Sequence, residues 1–267
     1  MKIWFKEIIL TLLGLAVLIY GLLYFLQERL IFFPEKLPAD HQFSFRQHFE
    51  EVWLEAEDER KLHALLFQNS ASKGVVLFFH GNAGSLDSWG SLAPLYLENG
   101  YDVCFLDYRG YGKSQGKIKS ESQLITDAQL AYDWVKKRYP DTPLVISGTS
   151  IGTGIATQLA AHNAADLLLL TAPYSSLQDL IREKFSIVPP FLIKYKLMSR
   201  AFVNQVDCPI VVFHGQKDEL IPPTHAVALK KARADIQLQI FPRAGHNDIS
   251  SDPAYVEALA EVLQGLP

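Results

Sequence analysis

The sharpest chemical signal in the chain is a serine flanked at two residues' distance by glycines, Gly148-Thr149-Ser150-Ile151-Gly152. It sits between an apolar run, Leu144 to Ser147, and a helical stretch, Ile151 to Asn163. A strand-to-helix turn of that tightness leaves no room for side chains two before and two after the serine, and it thrusts the hydroxyl outward at the sheet edge. A serine hydroxyl is a weak nucleophile at neutral pH. It needs a base within hydrogen-bonding reach and an acid behind the base to fix its tautomer. His246, in Ala244-Gly245-His246-Asn247-Asp248, follows the last strand-like run, and Asp218, in His214-Gly215-Gln216-Lys217-Asp218-Glu219, follows the run before it. Both therefore leave the carboxyl ends of strands, the edge on which Ser150 also lies. Glu219 and Asp248 are the weaker acids by position, and His214 is read as structural because it precedes the loop. His225 is expected to be a surface or helix-packing residue. The loop His80-Gly81-Asn82-Ala83-Gly84 carries small residues that let backbone amides face a reacting carbonyl. The amides of Asn82 and Ile151 are the expected donors to a tetrahedral oxyanion.

Residues so far apart in sequence meet only on a scaffold that gathers strand ends. A first alternating pair lies near Val52 to Leu54 and Leu62 to Phe67, and short apolar runs follow at Val75 to Phe79, Asp102 to Leu106, Leu144 to Ile146, Leu167 to Leu170, Ile210 to Phe213 and Leu238 to Phe241. Continuous apolar strands such as Val75-Val76-Leu77-Phe78-Phe79 suit a parallel sheet covered on both faces, where neither side meets water. Helices are expected at Leu86 to Asn99, Glu121 to Tyr139, Ile151 to Asn163, Thr224 to Ala234 and Pro253 to Leu263, the last with Asp252 as N-cap and Pro253 at its first position. This alternation predicts an α/β fold with right-handed crossovers.

The formal net charge of -4 and the lack of a dominant basic run argue against nucleic acid as a partner and fit a small neutral or apolar substrate. Cys104 and Cys208 are too few for a disulfide scaffold and lack neighbours for a zinc site, so they are expected to pack in the core, and no metal or organic cofactor is expected. Ile8 to Leu26 is uncharged and rich in Leu and Ile. At about 1.5 Å per residue it just crosses a hydrocarbon core of about 30 Å. Tyr24-Phe25-Leu26-Gln27-Glu28 follows instead of a small-residue cleavage site, which favours an uncleaved anchor over a signal peptide. Lys2, Lys6 and the terminal amine, set against Arg29 and Lys36, lean the N-terminus toward the cytoplasm and the catalytic domain outside it. The expected organisation is an anchor over 1–28, a connector over 29–44 and one catalytic domain over 45–267.

With these pieces in hand, the sequence resembles the α/β-hydrolase superfamily, and within it the single-pass, short-lid serine hydrolases related to protein depalmitoylases. Besides the Ser150, Asp218 and His246 loops, the similar stretches are Leu30-Ile31-Phe32-Phe33-Pro34, His80-Gly81-Asn82-Ala83-Gly84, Asp107-Tyr108-Arg109-Gly110-Tyr111-Gly112-Lys113-Ser114 and Ala172-Pro173-Tyr174-Ser175-Ser176-Leu177. The depalmitoylases attach to membranes through a lipidated, cysteine-rich N-terminus, where this chain has an apolar helix. The resemblance implies a mostly parallel eight-stranded sheet with a short lid, placed here at 173–206, and hydrolysis of carboxylic esters or thioesters, including lipid esters, through an acyl-enzyme. A serine peptidase or acyl-aminoacyl hydrolase on the same machinery, and a membrane scaffold without activity, remain the alternatives. The lid mixes Phe185, Ile187 and Phe191 with Lys194 and Lys196, a composition suited to contact with a lipid surface.

Overall fold

The computed structural model describes residues 2–266; Met1 and Pro267, the outer ends of the expected anchor and catalytic domain, lie outside the described residues. The chain begins with α1 (Lys2–Phe25) and the short α2 (Gln27–Ile31), followed by β1 (Phe33–Pro34). Within α1, Trp4–Phe25 has a mean hydropathy of 2.5 and is 0% buried, so it is long and apolar enough to cross a membrane. It is longer at its start than the uncharged run alone, because Trp4 and Phe5 extend the apolar helix ahead of Lys6.

The strands of the main sheet follow in chain order: β2 (Phe49–Glu55), β3 (Lys61–Phe67) and β4 (Gly74–Phe79). After β5 (Ala83–Gly84) come α3 (Leu86–Trp89), α4 (Ala93–Leu97), β6 (Tyr101–Leu106), α5 (Glu121–Arg138), β7 (Leu144–Thr149), α6 (Gly152–Ala160) and β8 (Leu167–Thr171). The segment expected to be the lid carries α7 (Leu177–Lys184) and α8 (Ser199–Phe202), and the chain closes with β9 (Ile210–Gly215), α9 (Thr224–Ala232), β10 (Gln237–Phe241) and α10 (Pro253–Gln264). Eight strands form one sheet in the order β10-β9-β8-β7-β4-β6-β3-β2. All neighbours are parallel except at β3, which runs against both β2 and β6. Its central strands are buried along their whole length, as strands covered on both faces must be.

Caps mark the helix starts. Ser120 Oγ accepts from Gln123 N at the head of α5, and Asp252 Oδ1 accepts from Ala254 N at the head of α10. The helix expected over 86–99 is instead two short helices joined by a 3-10 turn at Gly90–Leu92. Pro94 has no N–H to give the Gly90 carbonyl, and a side chain at position 90 would strike the Phe45 ring, so the turn stays tight there. Cys104 and Cys208 are free and buried; burial pushes their thiols up to about 12 and about 11.

The feature that positions the site is the jump in strand order at β4, which lies between β7 and β6. Chain connections leave β4 and β7 toward opposite sides, which opens a crevice above their carboxyl ends. The loop after β4 and the turn after β7 face each other across it.

Candidate active site

Ser150 occupies the turn between β7 and α6 with φ of 53°, in the left-handed region, and its N–H donates to the Thr171 carbonyl at 2.9 Å. A non-glycine residue there is strained and is held by its surroundings. The flanking glycines follow from the same crowding. A Cβ on Gly148 would press into the Gly152 backbone, and one on Gly152 would collide with the Phe79 carbonyl.

The structure brings Ser150, His246 and Asp218 together. Ser150 Oγ lies 3.0 Å from His246 Nε2, and His246 Nδ1 lies 2.7 Å from Asp218 Oδ2. Asp218 Oδ1 accepts from the amides of Leu220 and Ile221 at 3.0 and 2.7 Å. Burial alone would raise the Asp218 carboxyl, but the hydrogen bonds from His214, His246 and the Ile221 amide outweigh it and hold the group well below the usual carboxylate range. An ionised Asp218 accepts the Nδ1 proton of His246, leaving Nε2 free to accept from Ser150. Glu219 is exposed, and Asp248 Oδ1 instead accepts from Gly245 N at 2.6 Å, bracing the turn that carries His246.

On the facing loop, Asn82 sits at the pocket wall with Ser150 and Ile151. Among the described residues, neither the Asn82 nor the Ile151 backbone N–H donates to a protein acceptor. The Ile151 N–H is one of the free amides at the start of α6 and the Asn82 N–H lies on the facing loop, so both are available to a ligand oxygen beside Ser150. Their carbonyls, by contrast, are firmly held. Asn82 O accepts from Tyr111 Oη and from the Phe33 amide, both at 2.8 Å, and Ile151 O accepts from Tyr174 Oη at 2.8 Å. Tyr108 Oη donates to the His80 carbonyl at 2.7 Å. The tyrosines of the Asp107-to-Ser114 stretch thus fix the peptide planes of the loop, a role that spacing alone does not reveal.

Above Ser150 is a cavity of about 340 Å³ walled by Leu180, Ile181 and Phe185 of the lid, by Leu220 and Ile221, and by Leu30 and Ile31. The last two come from α2, so the segment that follows the membrane-length helix forms part of the pocket. Here β1 pairs in parallel with β5, and Asn82 Nδ2 donates to Ile31 O at 3.1 Å. The lid is tied to the same stem. Lys194 Nζ is 3.1 Å and Tyr195 Oη 3.0 Å from Glu28 Oε1, while Gln27 takes the Lys194 amide and donates to Leu192 O. Burial raises the Glu28 carboxyl, yet its hydrogen bonds, including those from Lys194 and Tyr195, bring it below its ordinary value. Lys194 is therefore engaged within the protein, and Lys196 is the exposed lysine of the pair.

His225 is a buried helix-packing residue of α9, the second of the two expected placements. Its Nδ1 lies 2.9 Å from Ser175 Oγ and its Nε2 3.1 Å from Glu183 Oε2, which joins α9 to the lid. His214 Nε2 meets the Ile221 carbonyl at 2.8 Å and Asp218 Oδ2 at 3.4 Å, so it shapes the acid's loop.

Residues 70–204 match the family described as Serine aminopeptidase, S33. The chain belongs to this family of α/β-hydrolase serine hydrolases. It is 29% identical to protein bem46 of Schizosaccharomyces pombe over 94% of this chain and 90% of that one. It is 30% identical to the Mycobacterium tuberculosis protein Rv2307c over 83% and 81% of the two chains. Lysophosphatidylserine lipase ABHD12 of Danio rerio is 31% identical over 64% of this chain, which spans 50% of that longer protein. Among solved structures, the Pyrococcus furiosus esterase Pf2001 superposes with a TM-score of 0.70 at 20% identity, covering 88% of this chain and 99% of that one, and shows the same fold.

Proposed function

We propose that this protein is a membrane-anchored hydrolase of carboxylic esters or thioesters of apolar acyl chains, with Ser150 as nucleophile, His246 as base and Asp218 as orienting acid. One observation carries the proposal: Ser150 Oγ is 3.0 Å from His246 Nε2 at the floor of a cavity whose walls are mostly aliphatic and aromatic. Ser150 Oγ attacks the acyl carbon as its proton passes to His246 Nε2. The carbonyl oxygen takes up the negative charge facing the Asn82 and Ile151 amides. His246 then gives the proton to the departing oxygen or sulfur, leaving an acyl-Ser150 that water cleaves by the same steps in reverse. Asp218 stays ionised and stabilises the imidazolium that forms in each half.

The family description names an aminopeptidase, and a site of that kind needs a carboxylate to receive the substrate's ammonium. Among the described residues the cavity above Ser150 is lined by one cation, Lys184, and by no carboxylate, which favours an acyl chain over a peptide amine. The relatives named as lipases and the esterase of matching fold support the same choice. On this proposal α1 spans a bilayer, with the N-terminus cytoplasmic because Lys2, Lys6 and the terminal amine stand at its amino-terminal end. Cysteine-accessibility labelling at Ser91 and at the amino terminus tests that orientation.

The deciding experiment uses the detergent-solubilised full chain with a fluorophosphonate probe. Labelling located at Ser150 and abolished in Ser150→Ala is the expected result, followed by turnover of an ester series. Folded protein that takes no label at Ser150 would overturn the proposal.

A further inference from the structure

Beside the catalytic pocket, at the root of α1, lies a second groove of about 550 Å³ that catalysis does not use. Its apolar floor includes Phe25, the last residue of α1, with Phe32, Pro34 and Ile118. Six cations line it against a single carboxylate, Glu28. Two of them are committed: Lys194 to Glu28, and Arg109 to Asp58 and Asp127. The other four, Arg29, Lys36, Lys117 and Lys119, are exposed and take part in no ion pair among the described residues.

These four come from three separate segments. Arg29 is on α2, Lys36 follows β1, and Lys117 and Lys119 flank the buried Ile118, whose alternation turns both lysines outward. A chain of formal net charge -4 has no general reason to gather unpaired cations in one place. Their mutual repulsion makes the arrangement costly unless an anion joins them. The depth of the groove identifies that anion. The apolar helix α1 ends at Phe25, and Glu28 and Arg29 are the first charges after it, so a spanning α1 sets the groove where hydrocarbon gives way to headgroups.

We infer that this groove holds the phosphate headgroup of an anionic phospholipid from the bilayer that α1 spans, the four free cations meeting the phosphate and Phe25 and Ile118 meeting the first methylenes of its chains. An arginine fork and lysine point charges are the groups that bind phosphate. The inference rests on reading α1 as a membrane span but not on the chemistry at Ser150. Lipid held here would fix the depth of α2 and hence of Leu30 and Ile31 at the catalytic pocket.

The test is native mass spectrometry of the full chain released from detergent after equilibration with dioleoyl phosphatidylglycerol or dioleoyl phosphatidylcholine. Retention of phosphatidylglycerol over phosphatidylcholine is expected, falling about fivefold for each cation removed in Lys117→Gln and in Lys117→Gln with Lys119→Gln. The same change at Lys137 and Lys231, exposed but outside the groove, should leave retention intact. An unchanged circular dichroism spectrum and thermal midpoint in every variant report that the fold is kept. Equal retention of both lipids, or equal loss from the Lys137 and Lys231 changes, would overturn the inference. Displacement of phosphatidylglycerol by millimolar inorganic phosphate would also overturn it in favour of a soluble anion. Retention of the chain in pure phosphatidylcholine vesicles through alkaline extraction reports the span separately, so loss of that retention marks failure of the anchor and not of the headgroup site.

Discussion

The two sides of the catalytic pocket are built on different principles. On the sheet side, Ser150, Asp218 and His246 stand on turns that directly follow parallel strands, and each is bound by neighbours a few residues away: Asp218 by the Leu220 and Ile221 amides, the His246 turn by Asp248. On the lid side, the wall is assembled from α7 and α2, segments separated by most of the catalytic domain, and is held by a handful of part-buried polar contacts. Phe185, Ile187 and Phe191 stay exposed there. The proposed chemistry thus stands on strand-end turns, while the proposed acyl wall is assembled from distant segments of the chain joined by few polar contacts.

The largest effects should follow from breaking the sheet side. Asp218→Asn keeps the shape but removes the charge that orders the His246 ring, and kcat on a short soluble ester should fall about 10³- to 10⁴-fold with KM little changed. A loss below tenfold would assign the acid's role elsewhere. Because the native Asp218 carboxyl is depressed, it is ionised throughout the range above its ordinary value near 3.9, and its contribution to stability, full above that value, is lost progressively as pH falls from it toward the lower native value. Gly152→Ala attacks the backbone instead. Its Cβ would meet the Phe79 carbonyl, which belongs to a central strand and cannot yield, so a stability loss of about 2–4 kcal/mol is expected in denaturant titration. An unchanged midpoint would mean that the elbow can relax.

The same contrast explains what was legible in the sequence. The central strands and the turn at Ser150 depend on local patterns, namely continuous apolar runs and glycines at fixed offsets, so the run Val75 to Phe79 and the Gly148 to Gly152 spelling already point to β4 and to the turn after β7. Asp218 and His246 were accessible for the related reason that each follows a strand. Long-range partners were not. Nothing in the spelling of Leu30-Ile31 says that it faces Ser150, and nothing in Lys194 says that it meets Glu28 166 residues away. His225 shows the limit most clearly. On its own helix it looks like one more polar residue, and only the packing of the lid against α9 makes it buried and partnered. The broken helix over 86–99 is different again, since Pro94 was present in the sequence as a signal and its effect on the Gly90 carbonyl follows from local chemistry.

Smaller effects should come from loosening the lid side. Glu28→Gln removes the acceptor charge shared by Lys194 and Tyr195 while leaving the catalytic residues untouched. Such a part-exposed pair contributes up to about 1 kcal/mol. Hydrolysis of a long-chain ester in vesicles should therefore fall up to about fivefold, and that of a short soluble ester should hold. Equal loss on both would show that the stem acts on the triad and not on the acyl wall.

The mildest change should be a pH dependence of the lid at His225. Burial lowers this histidine below its ordinary value, against the opposing pull of Glu183 and Asp179, and His214 lowers it further. The unfolded chain consequently binds the proton more readily than the folded one, so stability is lost as pH falls through the unfolded value near 6.5. Protonation would also deprive Ser175 of the Nδ1 acceptor that its hydroxyl and amide share. Hydrogen exchange of the α7 amides, corrected for the intrinsic rate, should show more frequent opening at pH 5.5 than at pH 7.5, by less than about 1 kcal/mol. His225→Gln, which cannot gain the charge, should flatten that difference. A variant that keeps the full pH response would move its origin to the carboxylates around the lid, and the weakness of this side would then lie in its sparse packing and not in a titrating contact.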